Sequence, residues 1–220
     1  MTSQFFEAVL FDMDGLTINS EPQWLEAETE LAGRFGYEWT ISDQAHCLGG
    51  PLSKLGQYMS DLVHGAQSGE YFHRAIIELM AEKVRANATF MPGARELIHE
   101  LNGISIPIAL VSASPRVIVD AALSHMGQNP FQATISSDDV TRTKPDPEGY
   151  LKAAALLGVS IENSLILEDS LTGVTAARAS RAKVIAVPHL VRIDSDAQTK
   201  VITSLTELNL NRLRELYLDW

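Results

Sequence analysis

Cysteine is almost absent from this 220-residue chain: Cys47 stands alone, which excludes an internal disulfide and suits a reducing compartment. No apolar run approaches the roughly 18 residues that a membrane-spanning helix needs. The opening stretch, MTSQFFEAVLFDMDG, lacks a basic segment and puts acids where a secretory leader needs apolar residues, so a cytoplasmic protein is expected. Basic residues are also scarce. Against 28 Asp and Glu there are 17 Lys and Arg, and the net charge of −11 opposes nonspecific binding to nucleic acid or an anionic membrane. An anionic ligand would need a local positive centre, from a metal ion or a well-placed lysine, to overcome that field. Internal repeats and low-complexity stretches are missing too. The length fits one good-sized domain, or one domain carrying an insertion, with a monomer as the default.

From Gly93 onward the pattern alternates between helix and strand. GARELIHELNG places Leu97, Ile98 and Leu101 on one helical face and stops at Gly103. IPIALVS is a short, continuously apolar run of the kind buried on both faces of a sheet. SPRVIVDAALSHMG predicts a helix with Ser114 as N-cap, Pro115 in the first turn and Gly127 as terminator. FQATIS, SLILED and AKVIAV predict further strands, with PEGYLKAAALLG and TGVTAARAS as helices between them; AKVIAV ends the series. This alternation predicts an α/β fold with a doubly wound, mostly parallel sheet of Rossmann-like type. The segment 16–88 differs, with amphipathic helical runs at 21–35, 51–63 and 68–87 and no clear strand. It reads as an all-helical insertion above the sheet, leaving residues 1–15 and 89–220 as the core. A docked C-terminal helix without catalytic content is expected in SLTELNLNRLRELYLDW.

Four acids sit just past the ends of apolar runs: Asp12 and Asp14 after FFEAVLF, Glu168 and Asp169 after SLIL. Ser112 closes IPIALV, and Lys144 lies in TKPDPEGY. In an open parallel sheet the ligand crevice lies outside the carboxyl ends of the strands, so these six side chains converge there. Carboxylates with one hydroxyl and one lysine suit Mg²⁺ and a phosphate. Mg²⁺ takes hard oxygen ligands, and the DxD spacing can offer the Asp12 carboxylate and the Asp14 carbonyl, with Gly15 allowing the sharp turn that follows. A carboxylate can attack phosphorus to form an aspartyl-phosphate, and a second carboxyl can protonate the leaving group and activate water. Ser112 can donate to a phosphoryl oxygen, Lys144 can neutralise the transferred group, and Ala113 and Ser114 can present backbone donors.

FDMDGL at 11–16, VSAS at 111–114, KPDPEGY at 144–150 and LEDSLTG at 167–173 together resemble, in order, the four motifs of the haloacid dehalogenase superfamily. They frame essentially the whole chain. DMDG followed by NSEP, with KPDPEGY and EDS, is similar to the small helical-cap subgroup, which includes 2-deoxyglucose-6-phosphate phosphatases and β-phosphoglucomutases. The resemblance implies Asp12 as nucleophile, Asp14 as general acid/base, and Ser112 and Lys144 as phosphate ligands. It implies Mg²⁺ held by the Asp12 carboxylate, the Asp14 carbonyl and Asp169, with Glu168 in or near its shell, and a mobile helical cap over 16–88. The expected activity is hydrolysis of a small hexose or polyol phosphate.

Several positions depart from the subgroup. Asn19 replaces a common Asp. Trp24 stands where β-phosphoglucomutases carry a cap histidine, and Leu52 where they carry a cap arginine three residues after a glycine that aligns with Gly49. Lys54 is a poor substitute for that arginine. Mutase activity is therefore the second reading, and a catalytically idle phosphosugar-binding protein the third. A dehalogenase would have little use for the second Asp of DMDG. SEPQW carries the aromatic that similar phosphatases have.

Other signals carry a plainer meaning. Asp194 and Asp196 make another DxD, but they follow no buried strand and read as a solvated loop. The six histidines show no pair at metal spacing, so His46 beside Cys47 reads as structural or surface. Trp24 reads as helical-layer core, and Asn19 and Glu21 lie where the chain turns into that layer.

Overall fold

The computed structural model describes residues 5–47, 52–189 and 191–220. In chain order its strands are β1 (Val9–Phe11), β2 (Ile18–Asn19), β3 (Thr89–Phe90), β4 (Ile108–Val111), β5 (Ala133–Ile135), β6 (Leu165–Glu168), β7 (Lys183–Ala186) and β8 (Thr199–Val201). The helices are α1 (Glu21–Gly33), α2 (Ile41–Cys47), α3 (Leu52–Leu62), α4 (Gly69–Asn87), α5 (Ala94–Gly103), α6 (Arg116–Met126), α7 (Glu148–Leu157), α8 (Leu171–Ala179) and α9 (Leu210–Leu218).

Six strands form one sheet in the order β5-β4-β1-β6-β7-β8, and every pairing is parallel. The doubly wound α/β sheet expected from the alternation is present. Its strands are short, so burial rather than ladder length holds them. In β1, Val9 and Phe11 face a core shared with Leu97, Leu101, Ile118 and Leu213, while Leu10 faces a second core with Tyr150, Ala153, Val174 and Ala177. Side chains alternate along a strand, so a run buried on both faces must be apolar throughout. Each fully buried Leu or Phe contributes about 1.5–3 kcal/mol. β1 lies between β4 and β6, which places Asp12 at the topological switch where the crevice opens.

The helices α1 to α4 build a third core around Ala27, Leu31, Trp39, Met59, Phe72 and Ile76. α4 serves two cores: Phe72, Ile76 and Leu79 face this helical layer, while Met80, Ala81 and Val84, with Ala88 just past the helix end, join the core beneath the sheet. The chain enters and leaves the helical layer through an antiparallel ribbon in which Ile18 pairs with Phe90 and Asn19 with Thr89. The expectation of no strand in this region is corrected by that ribbon, whose strands of two residues are too short to show a period.

Two more elements escaped the pattern. α2 begins with a capping box in which the Asp43 amide donates to Thr40 Oγ1 at 3.2 Å and the Thr40 amide donates to Asp43 Oδ2 at 2.8 Å. β8 extends the sheet past AKVIAV, although TKV has no apolar signature. No described helix is long and apolar enough to cross a membrane.

Asp43 is the polar centre of the helical layer. Its carboxylate accepts from the Tyr58 hydroxyl at 2.6 Å, the Tyr37 hydroxyl at 3.1 Å and the Thr40 hydroxyl at 2.6 Å. Burial raises its pKa, but the hydrogen bonds from Thr40, Tyr58 and Tyr37 outweigh it and bring the value down to about 2. A depressed folded-state pKa gives stability that is present above the unfolded value and lost as pH falls through the folded one. Asp43→Ala is expected to destabilise the chain by roughly 2–3 kcal/mol in urea denaturation at pH 7. The difference from wild type should shrink as pH falls from about 4 to about 2. Identical denaturation midpoints at pH 7 would remove Asp43 from this role.

Candidate active site

Each end of the three central strands delivers part of the site. Asp12 follows β1, with its amide donating to the Leu167 carbonyl at 3.0 Å and its own carbonyl held by the Thr17 hydroxyl. Lys144 reaches in from the loop before α7. Its buried ammonium donates to Asp12 Oδ1, to Glu168 Oε1 at 2.6 Å and to the Val111 carbonyl at 3.0 Å. The ammonium also lies 5.0 Å from the centre of the Tyr150 ring.

Glu168 is fully buried at the end of β6. Oε1 accepts from Lys144 and from the Tyr150 hydroxyl at 2.6 Å. Oε2 accepts from the Asp169 amide at 3.1 Å and the Ser170 hydroxyl at 3.1 Å. The α8 N-terminus comes close enough that a Cβ on Gly173 would lie 1.8 Å from Glu168 Oε1. Carboxylate oxygens of Asp12, Glu168 and Asp169 come within 4.8 Å of one another.

Asp14 lies on the turn after β1. Its Oδ2 accepts from the Ser114 hydroxyl at 2.8 Å and the Ser112 hydroxyl at 3.2 Å, while Oδ1 is buried without a partner. Gly15 follows at φ +79°, and a Cβ there would meet Asp169 Oδ2 at 2.3 Å. The turn therefore needs glycine on two grounds, its left-handed backbone and its close approach to Asp169.

The six residues expected in one crevice are thus together, with Gly15 at their centre and Ala113 exposed on the β4–α6 turn. Ser114 is a correction. Pro115 takes the N-cap position of α6, and no side chain caps that end. Pro cannot donate a backbone hydrogen bond, which leaves the Ser114 hydroxyl to serve Asp14. The Ser114 amide, expected to face a ligand, instead donates to Ser112 Oγ at 2.9 Å. Tyr150 and Thr17 went unnoticed in the sequence. Tyr150 reads as an ordinary apolar member of a helix, and Thr17 carries no spacing signal.

Away from the crevice, Lys54 is exposed, and Gly49 lies outside the described residues. Trp24 is partly buried and packs against both the sheet core and the helical-layer core. His46 stacks on Tyr58 with ring centroids 4.3 Å apart. Burial, with the charges of Glu28 and Asp43, raises the Cys47 thiol to about 11, far from a reactive thiolate. Asp194 and Asp196 sit in an exposed loop, where Asp196 accepts from the Gln198 and Thr199 amides.

The electrostatics are unbalanced. Three clustered carboxyl groups face one ammonium, which pairs with Asp12 and Glu168; with all three ionised the cluster would carry two uncompensated negative charges, the charge of one divalent cation. Burial pushes the Asp12 carboxyl well above the usual carboxylate range; Lys144 opposes this, and Glu168 and Asp169 add to it. Burial and the charge of Glu168 raise Asp169 to about 8. Lys144 is held ionised because Asp12 and Glu168 outweigh its own burial. The hard carboxylate oxygens of Asp12, Glu168 and Asp169, drawn within 4.8 Å of one another, fit a small hard cation such as Mg²⁺.

The chain matches the family described as haloacid dehalogenase-like hydrolase over residues 9–187. It is 32% identical over 212 residues to validoxylamine A 7'-phosphate phosphatase of Streptomyces hygroscopicus subsp. limoneus, covering 92% of this chain and 94% of that protein. Hexitol phosphatase B of Escherichia coli K12 is 30% identical over 213 residues, covering 95% of this chain and 93% of its own. The crystal structure of a putative β-phosphoglucomutase from Thermotoga maritima superposes with a TM-score of 0.80 at 27% identity, over 95% of this chain and 99% of that one. On that match and these identities, the chain belongs to the haloacid dehalogenase-like hydrolase family, among relatives named as phosphatases.

Proposed function

We propose that the protein is a Mg²⁺-dependent phosphatase that hydrolyses small phosphorylated sugars or polyols through an aspartyl-phosphate on Asp12. The observation that supports this best is the pairing of two carboxylates with different surroundings. Asp12 is tied to Lys144, which also holds Glu168, whereas Asp14 is tied only to hydroxyls and keeps one oxygen unpaired. One acid suits a nucleophile, its carboxylate oriented by an ammonium that opposes the effect of its burial; the other suits a proton carrier.

In the first step a carboxylate oxygen of Asp12 forms a bond to phosphorus as the bond to the ester oxygen breaks, and the Asp14 carboxyl gives that oxygen its proton. In the second, Asp14 takes a proton from water as the water oxygen bonds to phosphorus, releasing phosphate and restoring Asp12. Lys144 would neutralise the transferred group, and the Ser112 hydroxyl, on leaving Asp14, would bind its oxygens together with the backbone at Ala113. Mg²⁺, when bound, would supply further positive charge to the phosphoryl group, with Asp12, the Asp14 carbonyl and Asp169 as its holders. Glu168 sits beside them with both oxygens engaged, which suits it to position Lys144 and the Asp169 turn.

Residues 16–88 fit the role of a cap that closes over the crevice and excludes water, hinged at the β2–β3 ribbon. The names of the two phosphatase relatives support a polyhydroxylated substrate. The mutase reading has the Thermotoga neighbour in its favour. Against it, Trp24 and Leu52 cannot hold the second phosphate of a bisphosphate intermediate. A reducing, cytoplasmic setting suits the single, unreactive Cys47.

Phosphate release from a panel of hexose, pentose and polyol monophosphates tests the reading. Turnover should require added Mg²⁺ and vanish with EDTA, and Asp12→Asn should abolish it while leaving the unfolding transition in place. Full activity of that variant would end the covalent mechanism. Asp14→Asn should lower steady-state turnover by about 10²–10⁴-fold. A rate equal to wild type would take Asp14 out of proton transfer. Gly15→Ala should cost activity as well as stability, since its Cβ meets Asp169 Oδ2; a fully active, equally stable variant would show that the turn tolerates a side chain.

A further inference from the structure

Among the described residues, six buried side-chain polar atoms lack a hydrogen-bond partner, and four of them fall between residues 14 and 28: Asp14 Oδ1, Ser20 Oγ, Gln23 Oε1 and Glu28 Oε2. A buried group left unpaired carries its full desolvation penalty, so such clustering points to donors that arrive with a ligand. Asp14 belongs to the site already described. Ser20 and Gln23 flank the entry into α1, where Gln23 Nε2 donates to the Asn87 carbonyl at 3.2 Å. Glu28 belongs to nothing described so far, and it is the most costly of the four.

Glu28 is only 4% exposed, on the third turn of α1. It stands seven residues after Glu21 and therefore on the same helical stripe, with Trp24 between them. The charge of Asp14 acts on Glu21, and that of Glu21 acts on Glu28, so a row of acids runs from the crevice into the helical layer. Burial first, then Glu21, pushes Glu28 up to about 7 against hydrogen bonding from the Gln44 and Trp39 side chains, which leaves Oε2 without a partner; none of these neighbours is a cation. Trp39 Nε1 donates to Gln44 Oε1 at 3.0 Å, which turns the Gln44 amide nitrogen away from Trp39 as a donor. A carboxylate retained for structure looks different: Asp43, in the same layer, has four donors and a lowered pKa.

We propose that Glu28, with Gln44 beside it, is a specificity-determining residue that accepts a hydrogen bond from a leaving-group hydroxyl remote from the phosphorylated carbon. The inference rests on the phosphatase reading above and narrows its substrates to polyhydroxylated esters of about hexose or hexitol length. Seven residues of helix span about 10 Å from Glu21 to Glu28, a reach that a two- or three-carbon leaving group lacks. The hydroxyl would donate to Glu28 Oε2 and can accept from the Gln44 amide, which is how a sugar hydroxyl is told from a methylene.

The test compares wild type, Glu28→Gln and Glu28→Leu in the full chain on a hexitol 6-phosphate and on phenyl phosphate, whose leaving group carries no further hydroxyl. The ratio of kcat/KM for the hexitol ester to that for phenyl phosphate should fall at least tenfold in both variants. Their Tm at pH 8 should hold or rise, because a buried charge has been removed. Calorimetry with the phosphate-free hexitol reads the same contact without turnover. If no ester releases phosphate yet hexitol binding depends on Glu28, the phosphatase reading fails and the subsite stands. An unchanged ratio together with hexitol binding that is absent or indifferent to Glu28 overturns the subsite, and a lowered Tm would then assign Glu28 to the fold.

Discussion

The ammonium of Lys144, shared between Asp12 and Glu168, is the interaction on which the crevice depends. Three carboxylates at the ends of β1 and β6 would repel one another in a low-dielectric interior. A buried ion pair gains little over apolar residues unless its remaining hydrogen-bonding capacity is met. Here it is met: the third donor contact of Lys144 goes to the Val111 carbonyl at the end of β4, and Glu168 has Tyr150 and the Asp169–Ser170 turn. A single cation therefore joins the ends of β1, β4 and β6 from a loop that belongs to none of them. Lys144 opposes the burial that pushes the Asp12 carboxyl upward but does not overcome it; the cluster is short of positive charge, and a divalent ion or a phosphate-bearing ligand with its metal can complete it.

Close approach is the second constraint. Glu168 can be buried at a strand end because α8 begins immediately above it, and α8 can begin there because Gly173 has no Cβ. Asp169 can lie beside the Asp12–Asp14 turn because Gly15 has none either. In both places a glycine lets backbone come within contact of a carboxylate, so the acids are fixed by main chain rather than by mobile side chains. Ser170 adds to this, capping α8 through the Gly173 amide at 3.0 Å and donating to Glu168.

Much of this was legible in the sequence, for a specific reason. A strand buried on both faces must be apolar at every position, and a parallel sheet puts its chemistry at the carboxyl ends. Thus the apolar runs and the polar residues closing them marked both the sheet and the crevice. What stayed hidden depends on partners distant in the chain. Tyr150 serves Glu168 across 18 residues, and Ser114 serves Asp14 across 100. The β2–β3 ribbon joins segments whose apolar content is too small to register, and TKV enters the sheet as β8 only because β7 offers an edge. α2 was the avoidable omission, since Thr40 and Asp43 spell a capping box three residues apart.

The helical layer holds two buried acids with opposite fates, and the contrast separates fold from function. Asp43 gathers hydrogen bonds from two tyrosines and a threonine and ties α2 to α3; its ionised form is stabilised by the fold. Glu28 is buried to a similar degree, lies in the field of another acid and keeps an unpaired oxygen; its ionised form works against the fold. Packing alone does not account for Glu28, because a leucine would fill the same volume without the penalty. Selection for stability would remove such a residue unless the donor it lacks is supplied in the working state of the protein. Asp14 at the crevice also keeps one oxygen, Oδ1, without a partner, and a ligand long enough to reach from the crevice to Glu28 can meet both.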